Sequence, residues 1–323
     1  MIATLLIAIA AGSASALMFA SMISGAMISL LLFWLAPLPL MMAGLGWGPL
    51  TATIGGIAAA LGLGAIFGLP YCITFVIMVA LPAWWLGHLV LLGRPSADLN
   101  PASGSAPGTV NLEWYPVGRI LLWIAGFAVL TTMAALLTLG TDAGSIAAAM
   151  KRGLMRVLDS RMVTANADME RVVDAMVAVA PLAAVIVTMI SLTINLWLAT
   201  LITATSGRLR RPWPDLRATA LPAMTLVASC AAIAFCFTSG LLAILAQVTT
   251  TALMAAYALT GFAVLHTVTQ SLNSRTFWLS CAYAVVVIFT WPVMAMVVLG
   301  IADALFGLRQ RYLRSRPPPL PAS

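Results

Sequence analysis

From Met1 to Gly93 the sequence contains no Asp, Glu, Lys or Arg. A stretch of that length without a charged side chain has little to present to water, and the hydrocarbon of a bilayer is the solvent that suits it. The whole chain agrees, because 62% of its residues are hydrophobic and only 8% charged, with mean hydropathy +1.06, values that belong to a membrane protein and not to a soluble core. Transmembrane strands would alternate over about 10 residues, whereas these apolar runs reach the roughly 17–25 residues that cross about 30 Å of hydrocarbon as helix. A helix also satisfies its own backbone in lipid. The expected fold is therefore all-α, a polytopic transmembrane helical bundle.

The net charge of +7 arises in short loops and a tail beside apolar runs. It reads as sidedness and attraction to anionic headgroups, with the lipid bilayer as partner and no nucleic acid. The expected location is the bacterial cytoplasmic (inner) membrane, multi-pass. Ser13-Ala14-Ser15-Ala16 has the small residues of a cleavage site, but no Lys or Arg precedes it, so residues 2–21 are expected to be a permanent first span. Cys72, Cys230, Cys236 and Cys281 lie in apolar runs without C-x-x-C spacing and are expected to be small buried hydrophobes.

Apolar runs and breakers place the first spans at 2–21, 25–45, 49–68 and 70–92, a charge-free four-span block over 1–93. The polar stretch 94–118, rich in Pro, Gly and Ser, reads as a flexible loop dividing the chain. A second membrane block, 119–307, opens with a span at 119–140. It continues through the charged segment 141–175, where Ile146, Met150, Leu154, Val157 and Leu158 share one helical arc opposite Lys151, Arg152, Arg156 and Asp159. That segment either lies along the membrane surface or is a solvated helical linker. Residues 176–205 form the next span, with Pro181 bending its start. A basic loop (Arg208, Arg210, Arg211, Arg217), two spans within 220–270, and an apolar stretch 276–307 interrupted at Trp291-Pro292 follow, before the basic Pro-rich tail 308–323. Keeping the basic loop and the tail on one face requires a hairpin broken at Pro292 and ten spans; without it there are nine.

Small residues recur every four positions in the first span (Ala8, Gly12, Ala16, Ala20) and in the third (Gly56, Ala60, Gly64, Gly68). Such rows let helix backbones approach closely, either inside the protein or against a partner membrane protein. Asn195, Gln247, His266 and Asp303 are polar groups inside or near spans, so they need partners or water and are the candidate ligand-binding residues. Asn195 lies deepest, and Asp303 has Arg309 nearby in sequence. His88 after Trp84-Trp85, together with Trp114-Tyr115 and Trp213, fits an interfacial aromatic belt. No H-E-x-x-H, P-loop or paired acidic residues within a span are present. The expectation is a non-enzymatic protein with no catalytic residues, no cofactor and no metal; an enzyme would have to assemble its site from Asp142, Asp159, Asp168 and Glu170.

Gly261-Phe262-Ala263-Val264 and Leu299-Gly300-Ile301-Ala302-Asp303, with Phe306-Gly307-Leu308-Arg309, resemble the YybS-like family of uncharacterised bacterial multi-pass membrane proteins over nearly the whole chain. That family is a domain of unknown function and implies no reaction. The N-terminal block, by its Ala8-to-Ala20 row and the Gly48-Pro49 start of a Gly-rich span, is similar to the S components of energy-coupling-factor transporters. This resemblance implies that Ala8, Gly12, Ala16 and Ala20 dock a coupling membrane subunit and that a solute binds between helices. S components are smaller, so the second half is outside it. A transport-like protein without its own ATPase is the first expectation, and a membrane scaffold or assembly factor is the alternative.

Overall fold

A computed structural model describes residues 2–95, 112–159, 167–215, 219–271, 274–289 and 291–314. The helices are α1 (Ile2–Ala20), α2 (Met27–Leu35), α3 (Pro37–Trp47), α4 (Pro49–Phe67), α5 (Leu69–Phe75), α6 (Leu81–Leu91), α7 (Val117–Leu137), α8 (Ala143–Asp159), α9 (Ala167–Thr205), α10 (Met224–Phe235), α11 (Gly240–Val268), α12 (Arg275–Phe289), α13 (Val293–Phe306) and α14 (Leu308–Arg314). Among the described residues seven segments are long and apolar enough to cross a membrane: Ile2–Ser24, Met27–Trp47, Pro49–Phe67, Leu69–Leu91, Val117–Leu137, Asp168–Thr205 and Gly240–Val268. α10, α12 and α13 are apolar but short, at about 18, 22 and 21 Å against a hydrocarbon core of about 30 Å. The expected nine or ten spans would require some of these short helices to cross as well. The seven long segments are what length and composition support.

The chain divides into two compact units, one of residues 1–131 with 187–214 and the other of 132–186 with 215–323. The first unit therefore takes in the start of α7 and the second half of α9 besides the charge-free block. The ends of the loop at 94–118 pair as an antiparallel ribbon, β1 (Gly93–Pro95) with β2 (Leu112–Trp114); residues 96–111 lie outside the described residues, as do Arg217 and the end of the tail.

In the first unit the turns are written in Gly and Pro. Gly48 (φ 102°) and Gly68 (φ 92°) stop α3 and α4 in backbone conformations that disfavour a side chain. Pro49 and Pro70 start the next helix where a missing N–H does no harm. Between α5 and α6 the helix widens into a π stretch, Val76–Ala80, with the Leu81 N–H reaching back five residues to the Val76 carbonyl. Pro82, which has no N–H to give to the Met78 carbonyl, accounts for the loosening.

α1 packs against α4 at backbone distance: a methyl group added at Gly12 would strike the Gly55 carbonyl, and one at Gly55 the Ala8 carbonyl. The buried positions of α1 are Ala8, Gly12, Ser15 and Phe19. Ala16 and Ala20, also in the four-residue row, are half-buried, because a step of four overshoots 3.6 residues per turn and the row drifts off the contact. On α4, Gly56 and Ala60 are buried. Gly64 is half-buried beside Cys72, and Gly68 ends the helix.

The second unit is built on α11 against α13, with Tyr257, Ala258 and Val297 at its centre. Here Gly261 lies on the Met296 carbonyl and Gly300 on the Tyr257 carbonyl. α9 runs unbroken through Pro181 from Ala167 to Thr205, about 58 Å. Cys230, expected to be buried, is exposed on α10. The correction follows from the solvent, since a residue facing lipid avoids water without being covered by protein.

Candidate functional site

Pro37 and Pro39 cannot donate to the carbonyls four residues before them, and the segment Met27–Trp47 breaks at Ala36 between α2 and α3. In lipid no water repairs such a break, so side chains must. Asn195 and Ser191, one turn apart on α9, both reach the Trp34 carbonyl: Asn195 Nδ2 donates at 2.7 Å and Ser191 Oγ at 2.8 Å. Asn195 Nδ2 also donates to the Ser191 carbonyl at 2.8 Å. From α1, Ser15 Oγ donates to the Ala36 carbonyl at 2.7 Å. Asn195 is 1% exposed, and its Oδ1 has no hydrogen-bond partner among the described residues. Aromatic rings brace the same unit: Phe19 lies 5.6 Å from Phe33 of α2 and 5.5 Å edge-on from Phe75, which ends α5 just before the π stretch.

Replacing Asn195 with Leu keeps the volume but removes this donor from the Trp34 carbonyl. Ser191 still donates to that carbonyl, so the expected loss is about 0.5–1.5 kcal/mol of stability, the net worth of one hydrogen bond, read as a lowered thermal-unfolding midpoint in detergent.

The other candidates belong to the second unit. Gln247 is exposed, eight residues into α11. His266 Nε2 is 2.7 Å from the Tyr283 hydroxyl, whose ring stacks on Phe262 with centroids 5.4 Å apart. Asp303 is spent on Arg309: Oδ2 accepts from Nε at 2.8 Å and from Nη2 at 2.6 Å, and Oδ1 accepts the Arg309 backbone N–H at 2.9 Å. His266 thus has a side-chain partner on another helix, α12, that a ligand could rearrange. The acidic residues of the charged segment serve α8. Asp142 caps it, accepting the Ser145 N–H at 2.9 Å while Ser145 Oγ accepts the Asp142 N–H at 3.3 Å. Hydrogen bonding to the carboxylate from the Ser145 side chain, and then from its N–H, holds the Asp142 carboxyl below its ordinary range. Lys151 pairs with Asp174 at 2.7 Å, which holds its ammonium above the ordinary range. Ile146 of the apolar arc is buried and α8 meets α11, whereas Val157 is exposed. The Asp159 side chain lies outside the described residues. Among the described residues no group of three or more His, Cys, Asp or Glu could hold a metal ion.

The sequence reading missed a cationic rim on the first unit, where α3, α6 and α9 end. Arg208 lies over the Trp47 ring with its guanidinium carbon 4.4 Å from the centroid. Arg211 is 8% exposed, and its Nη1 donates to the Val90 carbonyl at 3.3 Å. Burial pushes its pKa down. The Trp114 ring is 6.0 Å from it, and Arg94 pairs with Glu113 at 2.8 Å across the ribbon. Trp85 meets Trp123 edge-on at 5.0 Å, and Trp123 Nε1 is 3.4 Å from the Tyr115 hydroxyl, so the aromatic residues gather in this unit. Four clustered arginines in the sequence hinted at the rim; the burial of one of them did not show.

Comparison with curated proteins and with solved structures finds no match for the chain. Apolar helices broken by proline, polar groups consumed in holding them, and arginine kept out of the interior of the long apolar helices describe a protein embedded in a membrane, and with a family model matching residues 13–304 the chain belongs to the family described as predicted membrane protein (DUF2232), of unknown function.

Proposed function

We propose that the protein is a non-enzymatic, solute-binding or transport-like component of the bacterial inner membrane, in which the first unit reorganises about the break between α2 and α3. The observation that supports this most is the break itself. The carbonyls of Trp34 and Ala36, on either side of the break, accept hydrogen bonds from side chains of α9 and α1. Interrupted helices with exchangeable side-chain partners are how many transporters build a site near the bilayer midplane. The unpartnered Asn195 Oδ1 offers an acceptor beside that break, and the aromatic and aliphatic surroundings suit a small amphipathic solute. The π stretch of the neighbouring segment supplies a second place where the helix yields.

The similarity to S components forms part of the same reading, with the motor on another protein. Ala8 and Gly12 are covered by α4, so docking of a coupling subunit would fall to the half-buried Ala16 and Ala20 and the exposed side of α1. The test is mass spectrometry of the protein gently extracted from its own membranes. A stoichiometric small molecule, or an ATPase with a membrane coupling subunit, is the expected result. Recovery of other membrane proteins without any solute would replace this reading with that of a scaffold.

A further inference from the structure

Arg211 is buried to 8% exposure among apolar and aromatic groups, yet one hydrogen bond, to the Val90 carbonyl at 3.3 Å, is all that its fork of donors makes with the described residues. None of the four ion pairs among them involves it. A cation near the end of α6 is favoured by the helix dipole, which accounts for the Val90 bond. It does not account for the remaining donors, and a desolvated guanidinium with so few partners is expensive. Arg208 and Arg210 lie in the same turn and are exposed, Arg119 is exposed at the start of α7, and of the nearby acids Glu113 is already taken by Arg94 while Asp215 follows Trp213 by two residues. Arginine therefore outnumbers acid beside Trp47 and Trp114, with Tyr115 and Trp213 adjacent in the chain, residue types that mark headgroup depth.

We propose that this rim is a specific site for one anionic phospholipid, with its phosphodiester oxygens on the free donors of Arg211 and its charge shared with Arg208 and Arg210. A phosphodiester supplies several acceptor oxygens to a planar fork. The net negative headgroup is what distinguishes the proposed lipid from a zwitterionic one. The trend is independent of whether the protein carries a solute.

The test is native mass spectrometry of the full chain in detergent, titrated with phosphatidylglycerol, with phosphatidylcholine and with inorganic phosphate. Phosphatidylglycerol is expected to be retained in preference to phosphatidylcholine. Arg211→Gln and Arg208→Gln each weaken its binding by about fivefold to tenfold, in line with the loss of one headgroup cation. Arg152→Gln, on the exposed face of α8, leaves it unchanged. Arg208 is exposed, so its variant is expected to fold even where Arg211→Gln does not. Equal retention of both lipids, or wild-type binding by Arg208→Gln and Arg211→Gln, overturns the site. Displacement of phosphatidylglycerol by millimolar inorganic phosphate overturns the assignment to a lipid in favour of a free anion.

Discussion

Gly55→Val is expected to leave no monodisperse protein after extraction, whereas Gly62→Val, seven residues further along the same helix, elutes like the wild type. At Gly55 even a methyl group meets the Ala8 carbonyl and the Leu40 side chain. Backbone cannot step aside as a flexible side chain can, so α1 and α4 must separate. Overpacking of a core costs about 1–3 kcal/mol and more when the neighbour is main chain. The loss is amplified in lipid, where close packing and not hydrophobic burial holds helices together. At Gly62 there is open space. Size-exclusion chromatography in detergent separates the outcomes, and a normal profile for Gly55→Val would show that α1 does not cross α4 there.

The second large effect concerns the end of α13. Asp303→Leu removes the carboxylate that receives three bonds from Arg309 in a setting where both side chains are 9% exposed. Breaking one side of a buried pair costs about 3–5 kcal/mol, because the surviving charge loses its compensation. Adding Arg309→Met to the same protein should recover most of that loss. If the double variant unfolds as early as Asp303→Leu alone, the buried charge is not the cause. Thermal unfolding of the three proteins side by side gives the answer.

The four spans of the charge-free block were legible because hydropathy and Gly/Pro punctuation coincide there: Gly48-Pro49 and Gly68-Leu69-Pro70 mark the same boundaries in sequence and in space. The small-residue rows lie on the two helices that meet, α1 and α4, but the tightest contact falls beside the row on α4. Gly55, not Gly56, makes the closest approach to α1, since a four-residue row cannot follow a 3.6-residue helix for long. Asn195 was visible as a buried amide, but its partner was not, because a main-chain carbonyl leaves no trace in the identity of its residue. The number of spans resisted for a different reason. α10, α12 and α13 have the composition of membrane helices without the length, and length is the only ruler that a sequence offers.

The donors that repair the α2–α3 break have a consequence for biosynthesis. Ser191 and Asn195 follow Trp34 by 157 and 161 residues. At about 5–20 residues per second of synthesis, roughly 8–30 s pass between the emergence of the broken helix and the arrival of the groups that satisfy it. During that interval the nascent break needs a temporary host for its open carbonyl, in the insertion machinery or at the headgroup layer. The first unit can therefore be completed only after all of the chain that separates its two pieces has already been made.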